Sequence, residues 1–376
     1  MSLDFSFKLF FASFIFLVLP FGLFAQELYQ DFQETIPAKV VEVLSESEEP
    51  VAGTDTTTFI QRVSIELKGG QRSGETTIIE NEVVVLEPGD DIFVMRTVTI
   101  NGDEYITYHD YERRPVLLGV FLLFVGLLLV LSKWQGVRAL ISLGASIGAI
   151  LFLLVPALLA GYNAELTTIV VAAAVMAFVL FGTHGINPCT TIAFGGVFSA
   201  VLITGVVAHV SVKMMHFTGL SDDAALYLHF ATDGQLDMTG LLLGAIIIGI
   251  LGVLDDVSIT QASVVQELKA ANPNFNAKDL YKRAIKVGRD HIGSLVNTLA
   301  LAYAGVSLPL ILLYAKTESN LWLALNNEVV SVELVRIIVG SIGLVLAVPA
   351  TTAVAAWYYN HRTIDVHETE NYNHHH

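Results

Sequence analysis

The chain has little cysteine and little charge, and each shortage excludes something. Its single cysteine, Cys189, cannot close an intramolecular disulfide or build a cysteine-based metal site. Charged residues make up only 15% of the chain, against about 25% in globular domains. No basic stripe exists outside one short loop, which argues against a nucleic-acid partner. There is no Gly-rich phosphate loop, so an ATP-driven machine has no sequence support, and residues 38–112 carry no HExxH and no nucleophile elbow. No catalytic residue, cofactor or metal site is expected.

What fills the chain instead is apolar: 53% of its 376 residues are hydrophobic. The runs are long enough to cross a hydrocarbon core, which needs about 20 residues. They fall at 116–132, 139–160, 166–182, 190–212, 239–266, 292–315 and 333–358, giving seven expected spans in a multi-span domain over 115–360. A further apolar stretch at 9–25, ending near Ala25, reads as a signal peptide or signal anchor over 1–26.

Lys and Arg then orient the spans. The loop 267–291 carries Lys269, Lys278, Lys282, Arg283, Lys286 and Arg289, while 213–238 carries four aspartates against one lysine. By the positive-inside rule the first loop is cytoplasmic, as is the tail 361–376, and residues 27–114 lie outside the cytoplasm. The expected location is the bacterial plasma membrane.

Residues 27–114 also carry most of the negative charge, with 19 acidic residues against 7 basic. Over 38–112 they read as short strands. Gly69–Gly70 and Gly74 mark one hairpin, Asn101–Gly102 another, and Glu87–Pro88–Gly89–Asp90 a turn. Five or six strands in so short a segment suggest a small β-barrel-like, OB-like domain outside the membrane.

The stretch GILGVLDDVSITQASVV (249–265) places two carboxylates inside an apolar span. At 100° per residue, Gly249, Gly252, Asp256, Thr260, Ser263 and Glu267 share a wedge of about 80°, with Asp255 at its edge. A lone ionised Asp at mid-membrane costs about 2.5–3.5 kcal/mol on insertion scales. Two side by side repel, and protonation is the cheapest escape. Asp255 and Asp256 are therefore the expected proton or ion relay. Ser258, Thr260 and Ser263 on the same helix are expected to support it, with Asn297 and Thr298 from the next span. His184, in the helix-breaking THGINPC (183–189), is a second titrating candidate if that break lines the same cavity. An intramembrane aspartyl protease would need its two aspartates on different helices, and here both share one, so an enzyme is not expected.

GVLDDVSITQASVVQEL, VGRDHIGSLVNTLALAYAG and LAVPATTAVAAW resemble motifs of the YibE/F-like family of multi-spanning bacterial membrane proteins. More loosely, 239–358 is similar to the core of resistance–nodulation–division (RND) transporters and the SecDF translocation motor. There a G-x-x-x-D-D or G-x-x-x-N-D helix is followed by a cytoplasmic interfacial helix and two further spans. That likeness implies coupling of proton flow to substrate movement through Asp255 and Asp256, with Thr298 in support. This chain holds a single such block and no Lys or Arg at mid-membrane. The expectation is a proton- or cation-coupled transporter or motor. Its partners would be the lipid bilayer, a proton or Na⁺ gradient, and a second copy or an envelope protein. The competing expectation is an envelope scaffold whose outer β domain docks partners.

Overall fold

The computed structural model describes residues 32–50, 57–70, 72–99, 101–316 and 320–362. The apolar stretch expected as signal peptide or anchor, and all but the start of the tail 361–376, lie outside the described residues. The chain folds as two compact units, one ending at Val130 and the other running on from Leu131.

The first unit holds a five-stranded antiparallel sheet. Its strands are β1 (Phe32–Pro50), β2 (Thr57–Leu67), β3 (Thr76–Asn81), β4 (Asp91–Val98) and β5 (Glu104–Tyr111), in the order β3-β2-β1-β4-β5. Alternation sets which face is buried: Ile36, Ala38 and Val40 of β1 meet Val63, Ile65 and Leu67 of β2 in one core. Gly70, Gly74 and Gly102 take positive φ (72°, 88° and 89°) in the turns, as the hairpin signals require.

The expected barrel is not closed. Among the described residues no hydrogen-bonded ladder joins β3 to β5, because β3 stops after six residues and the chain leaves it as an irregular segment. Buried Gln61 holds that segment instead: its Nε2 donates to Leu86 O and its Oε1 accepts from Leu86 N, both at 2.9 Å. A charge ladder also ties the strands. Arg96 of β4 reaches Glu104 of β5 at 2.9 Å and Glu34 of β1 at 3.4 Å. The hydrogen bond from Arg96, and then that from Arg72, hold the Glu104 carboxyl below its ordinary pKa.

From Arg114 onward the described residues are mainly helical. Among them, five helices are long and apolar enough to cross a membrane, or six if one bent pair counts as a single span. The first begins as α1 (Arg114–Ala149), passes through a π turn at Ile150–Leu154 and ends as α2 (Val155–Leu159). Pro156 lacks the N–H an α-ladder needs, and the π turn lies just before it. The two spans expected at 116–132 and 139–160 fall in this run, whose helical geometry breaks at Lys133 (φ 49°, ψ −125°). There follow α3 (Ala164–His184), α4 (Pro188–Met214), the short α5 (Asp223–Ala231) and α6 (Met238–Ala271). The chain continues through α7 (Ala277–Val306), α8 (Leu308–Lys316), α9 (Leu321–Leu325) and α10 (Glu328–Asn360).

Most of the expected loop 267–291 is helical, and its basic part 277–291 is not a separate element. It runs without a break into the apolar half of α7, and the chain then bends by 64° into α8. Leu280 and Ala284 on its apolar side are buried in the same core as Val257, Ala262 and Val265 of α6. The hairpin between α6 and α7 is capped by Lys269, whose Nζ donates to Pro273 O at 2.8 Å and Phe275 O at 3.0 Å.

Candidate functional site: the carboxylate pair on the central helix

α6 packs against α3, α4, α7 and α10, which makes it the hub of the helical unit. Its apolar side drives this: Ile250, Leu254, Val257 and Val265 are buried in one cluster with Val197 of α4 and Leu344 of α10. Glycines let the helices approach closely. A Cβ on Gly196 of α4 would lie 2.0 Å from Thr351 Oγ1, and one on Gly343 of α10 would lie 2.1 Å from Thr204 Oγ1. On α6 itself, a Cβ on Gly249 would lie 2.0 Å from the Tyr303 hydroxyl of α7.

Asp255 and Asp256 sit at the middle of this 34-residue helix. Asp255 is half-buried, and its Oδ1 is buried without a hydrogen-bond partner. Asp256 is exposed, as are Gly249, Gly252 and Glu267, while Thr260 and Ser263 are partly so. The polar wedge read from the sequence is thus open at Gly252, Asp256 and Glu267, while Gly249 abuts Tyr303 and Ser263 reaches Cys189. A Cβ added at Gly252, one turn from Asp256, meets nothing within 4 Å. A buried, unpartnered carboxylate oxygen beside an exposed carboxylate can hold a proton, or share a small cation with its neighbour.

The other expected residues are placed unequally. Ser263 Oγ is 3.5 Å from Cys189 Sγ, in the seam with α4. Ser258 is buried on the opposite side of α6, where its Oγ accepts from Thr351 Oγ1 at 3.3 Å. Asn297 and Thr298 are exposed on α7, and Thr298 donates to Ser294 O of its own helix at 2.9 Å. Among the described residues neither hydrogen-bonds to the aspartates. His184 ends α3 in a tight turn: Gly185 takes φ 76°, and the Asn187 side chain donates to His184 O at 3.0 Å. Cys189, five residues on, is level with Ser263, so this turn lies about two helical turns (~12 Å) from the pair along α6.

Five residues that join the helices were missed in the sequence: Gln261, Thr351, Arg336, Glu333 and Tyr303. Buried Gln261 donates to Ala284 O at 2.9 Å and joins α6 to α7. Thr351 bonds Ser258 across the seam with α10. Arg336 lies in α10 near its first turns, 3.4 Å from Glu333, with its guanidinium 5.7 Å from the centre of the Tyr303 ring. An arginine and a glutamate inside the apolar run 333–358 were the signal for this cluster. Among the described residues no group of three His, Cys, Asp or Glu is placed to hold a metal ion.

Among the described residues, five helices long and apolar enough to cross a membrane, with paired carboxylates halfway along the central one, fit a membrane protein. The model of the YibE/F-like protein family matches residues 120–361, and the chain belongs to that family. The match covers every helix from α2 to α10 and all but the start of α1. No curated protein and no solved structure matches the chain.

Proposed function

We propose that the protein is a proton- or cation-coupled membrane transporter or motor of the bacterial plasma membrane, with Asp255 and Asp256 as its ion-carrying pair. One observation carries this reading: an unpartnered, buried Asp255 oxygen beside an exposed Asp256, halfway along the central helix. Ion carriers in membranes are built from such residues, because a carboxylate there is stable only when protonated, paired or bound to a cation. Thr260 and Ser263 line the same face as Asp256 and are its supporting polar groups.

In this reading there are seven spans, the first two meeting at Lys133, with residues 27–114 outside and the basic hairpin 267–291 inside by the positive-inside rule. The β domain is OB-like in this reading, since its edge strands β3 and β5 lie near one another without a closing ladder. The RND and SecDF likeness rests on the order of motifs alone.

The test is modification by a hydrophobic carbodiimide, which attacks protonated carboxyls in apolar surroundings. Labelling should map to Asp255 or Asp256 by mass spectrometry and vanish in the matching Asp→Asn variant. Protection by Na⁺ identifies a sodium carrier, and protection by raised pH alone a proton carrier. If neither aspartate reacts at any pH, the proposal is refuted and the scaffold reading is left.

A further inference from the structure

A second feature of the helical unit lies away from the carboxylates. A groove of about 640 Å³ runs between α4 and α10, within the usual range for ligand sites. Ile186, Ile192, Gly195 and Val354 give it apolar walls, and Tyr358 closes one end together with Asn187 and Pro188. The Gly196–Thr351 contact, where α4 and α10 approach closely, adjoins it in the sequence of α4. Gly195, next to it, faces the groove: a Cβ there meets nothing within 4 Å.

The two ends of the groove differ electrically. At the Tyr358 end lies the N-terminus of α4, a 27-residue helix capped by Asn187, whose dipole is positive there. Arg362 lies at the same end, with its guanidinium 4.8 Å from the centre of the Tyr358 ring. Arg362 makes no ion pair among the described residues, and no acidic side chain lines the groove. An apolar slot with an unpaired cation and a positive helix end at one mouth matches an amphiphile with an acyl chain and an anionic head. Basic pockets between spans on the cytoplasmic side are known sites for anionic lipid headgroups.

We propose that this groove is a binding site for one anionic phospholipid. An acyl chain lies along Gly195, and the phosphate is held at the Arg362 end. With the basic hairpin 267–291 inside, the lipid comes from the cytoplasmic leaflet. The site does not depend on the ion-carrying role of the aspartates.

The experiment uses the full chain with Trp134 and Trp322 replaced by Phe, which leaves Trp357 beside Tyr358 as the reporter. The protein is reconstituted in phosphatidylcholine vesicles containing a brominated phosphatidylglycerol or a brominated phosphatidylcholine, and tryptophan quenching is compared. The expected result is at least a threefold preference for the anionic lipid, falling to near unity in Arg362→Ala. Gly195→Leu, whose side chain enters open space and leaves the packing intact, should abolish the preference as well. Equal quenching by the two lipids overturns the proposal, as does a preference that survives both substitutions. Absence of quenching by either lipid also overturns it, because a second copy or another protein then covers the groove.

Discussion

Adjacent glycines on α4 should respond to the same substitution with opposite signs. In Gly196→Ala the new methyl lies 2.0 Å from Thr351 Oγ1, 2.9 Å from its Cβ and 3.2 Å from its Cα. Rotating the threonine relieves only the first contact and breaks its 3.3 Å bond to Ser258. α4 and α10 must therefore move apart. Overpacking of this kind costs about 1–3 kcal/mol, and the lost hydrogen bond about 0.5–1.5 kcal/mol. Alanine returns up to about 1 kcal/mol of helix propensity. The net is a loss of about 0.5–4.5 kcal/mol. In Gly195→Ala the methyl meets open space, so only the propensity gain of up to about 1 kcal/mol remains. Reversible unfolding in mixed micelles, titrated with sodium dodecyl sulfate, measures both. Two variants of equal stability would refute the close approach of α4 to α10, and with it the placement of Ser258 in that seam.

Two further predictions concern the β unit. Gln61→Leu leaves the Leu86 N–H and C=O unpaired in a buried site, at about 1–3 kcal/mol for each group. Hydrogen exchange of residues 82–87 should accelerate at least tenfold, and unchanged protection would refute the role given to Gln61. The second prediction concerns acid. Because Arg96 and Arg72 lower the Glu104 pKa on folding, the contribution of that carboxylate is present above its unfolded value of about 4.3. It is lost as pH falls through the lower folded value. Relative to the intrinsic rate, exchange of β4 and β5 amides should therefore rise below about pH 4 in the native protein. Glu104→Gln should exchange faster at pH 7 and show a shallower rise in acid, and parallel profiles would contradict the ladder.

How far the sequence could be read depends on which interactions are local. The polar wedge on α6 was legible because a helix repeats every 100° and the wedge is a property of one helix alone. The turns at Gly70, Gly74 and Gly102 were legible because each needs positive φ. Ser258 shows the limit: it lies almost opposite Asp256 on the same wheel, and its partner Thr351 is 93 residues away. Depth along α7 put Asn297 and Thr298 near the pair, but the direction in which α7 turns its bundle face depends on packing. That face carries Leu280, Ala284, Gly288 and Leu299 instead. The segment 277–291 read as part of a loop because it is basic where the rest of α7 is apolar. No proline or helix-ending glycine stands between the two halves, so the helix continues. At 132–138 the charges suggested a loop, yet only Lys133 leaves helical geometry. The barrel went unclosed because one glutamine side chain, not a strand, holds Leu86.

The central claim is that Asp255 and Asp256 exchange a proton or a cation at mid-membrane. The most direct measurement is infrared difference spectroscopy of the carboxyl stretch, on purified protein in lipid, across a pH titration with and without Na⁺. The account predicts a protonated-carboxyl band whose intensity changes with pH or with Na⁺, and which is lost in Asp255→Asn or Asp256→Asn. A carboxyl spectrum that does not respond to pH or Na⁺, and is identical in both variants, would contradict it.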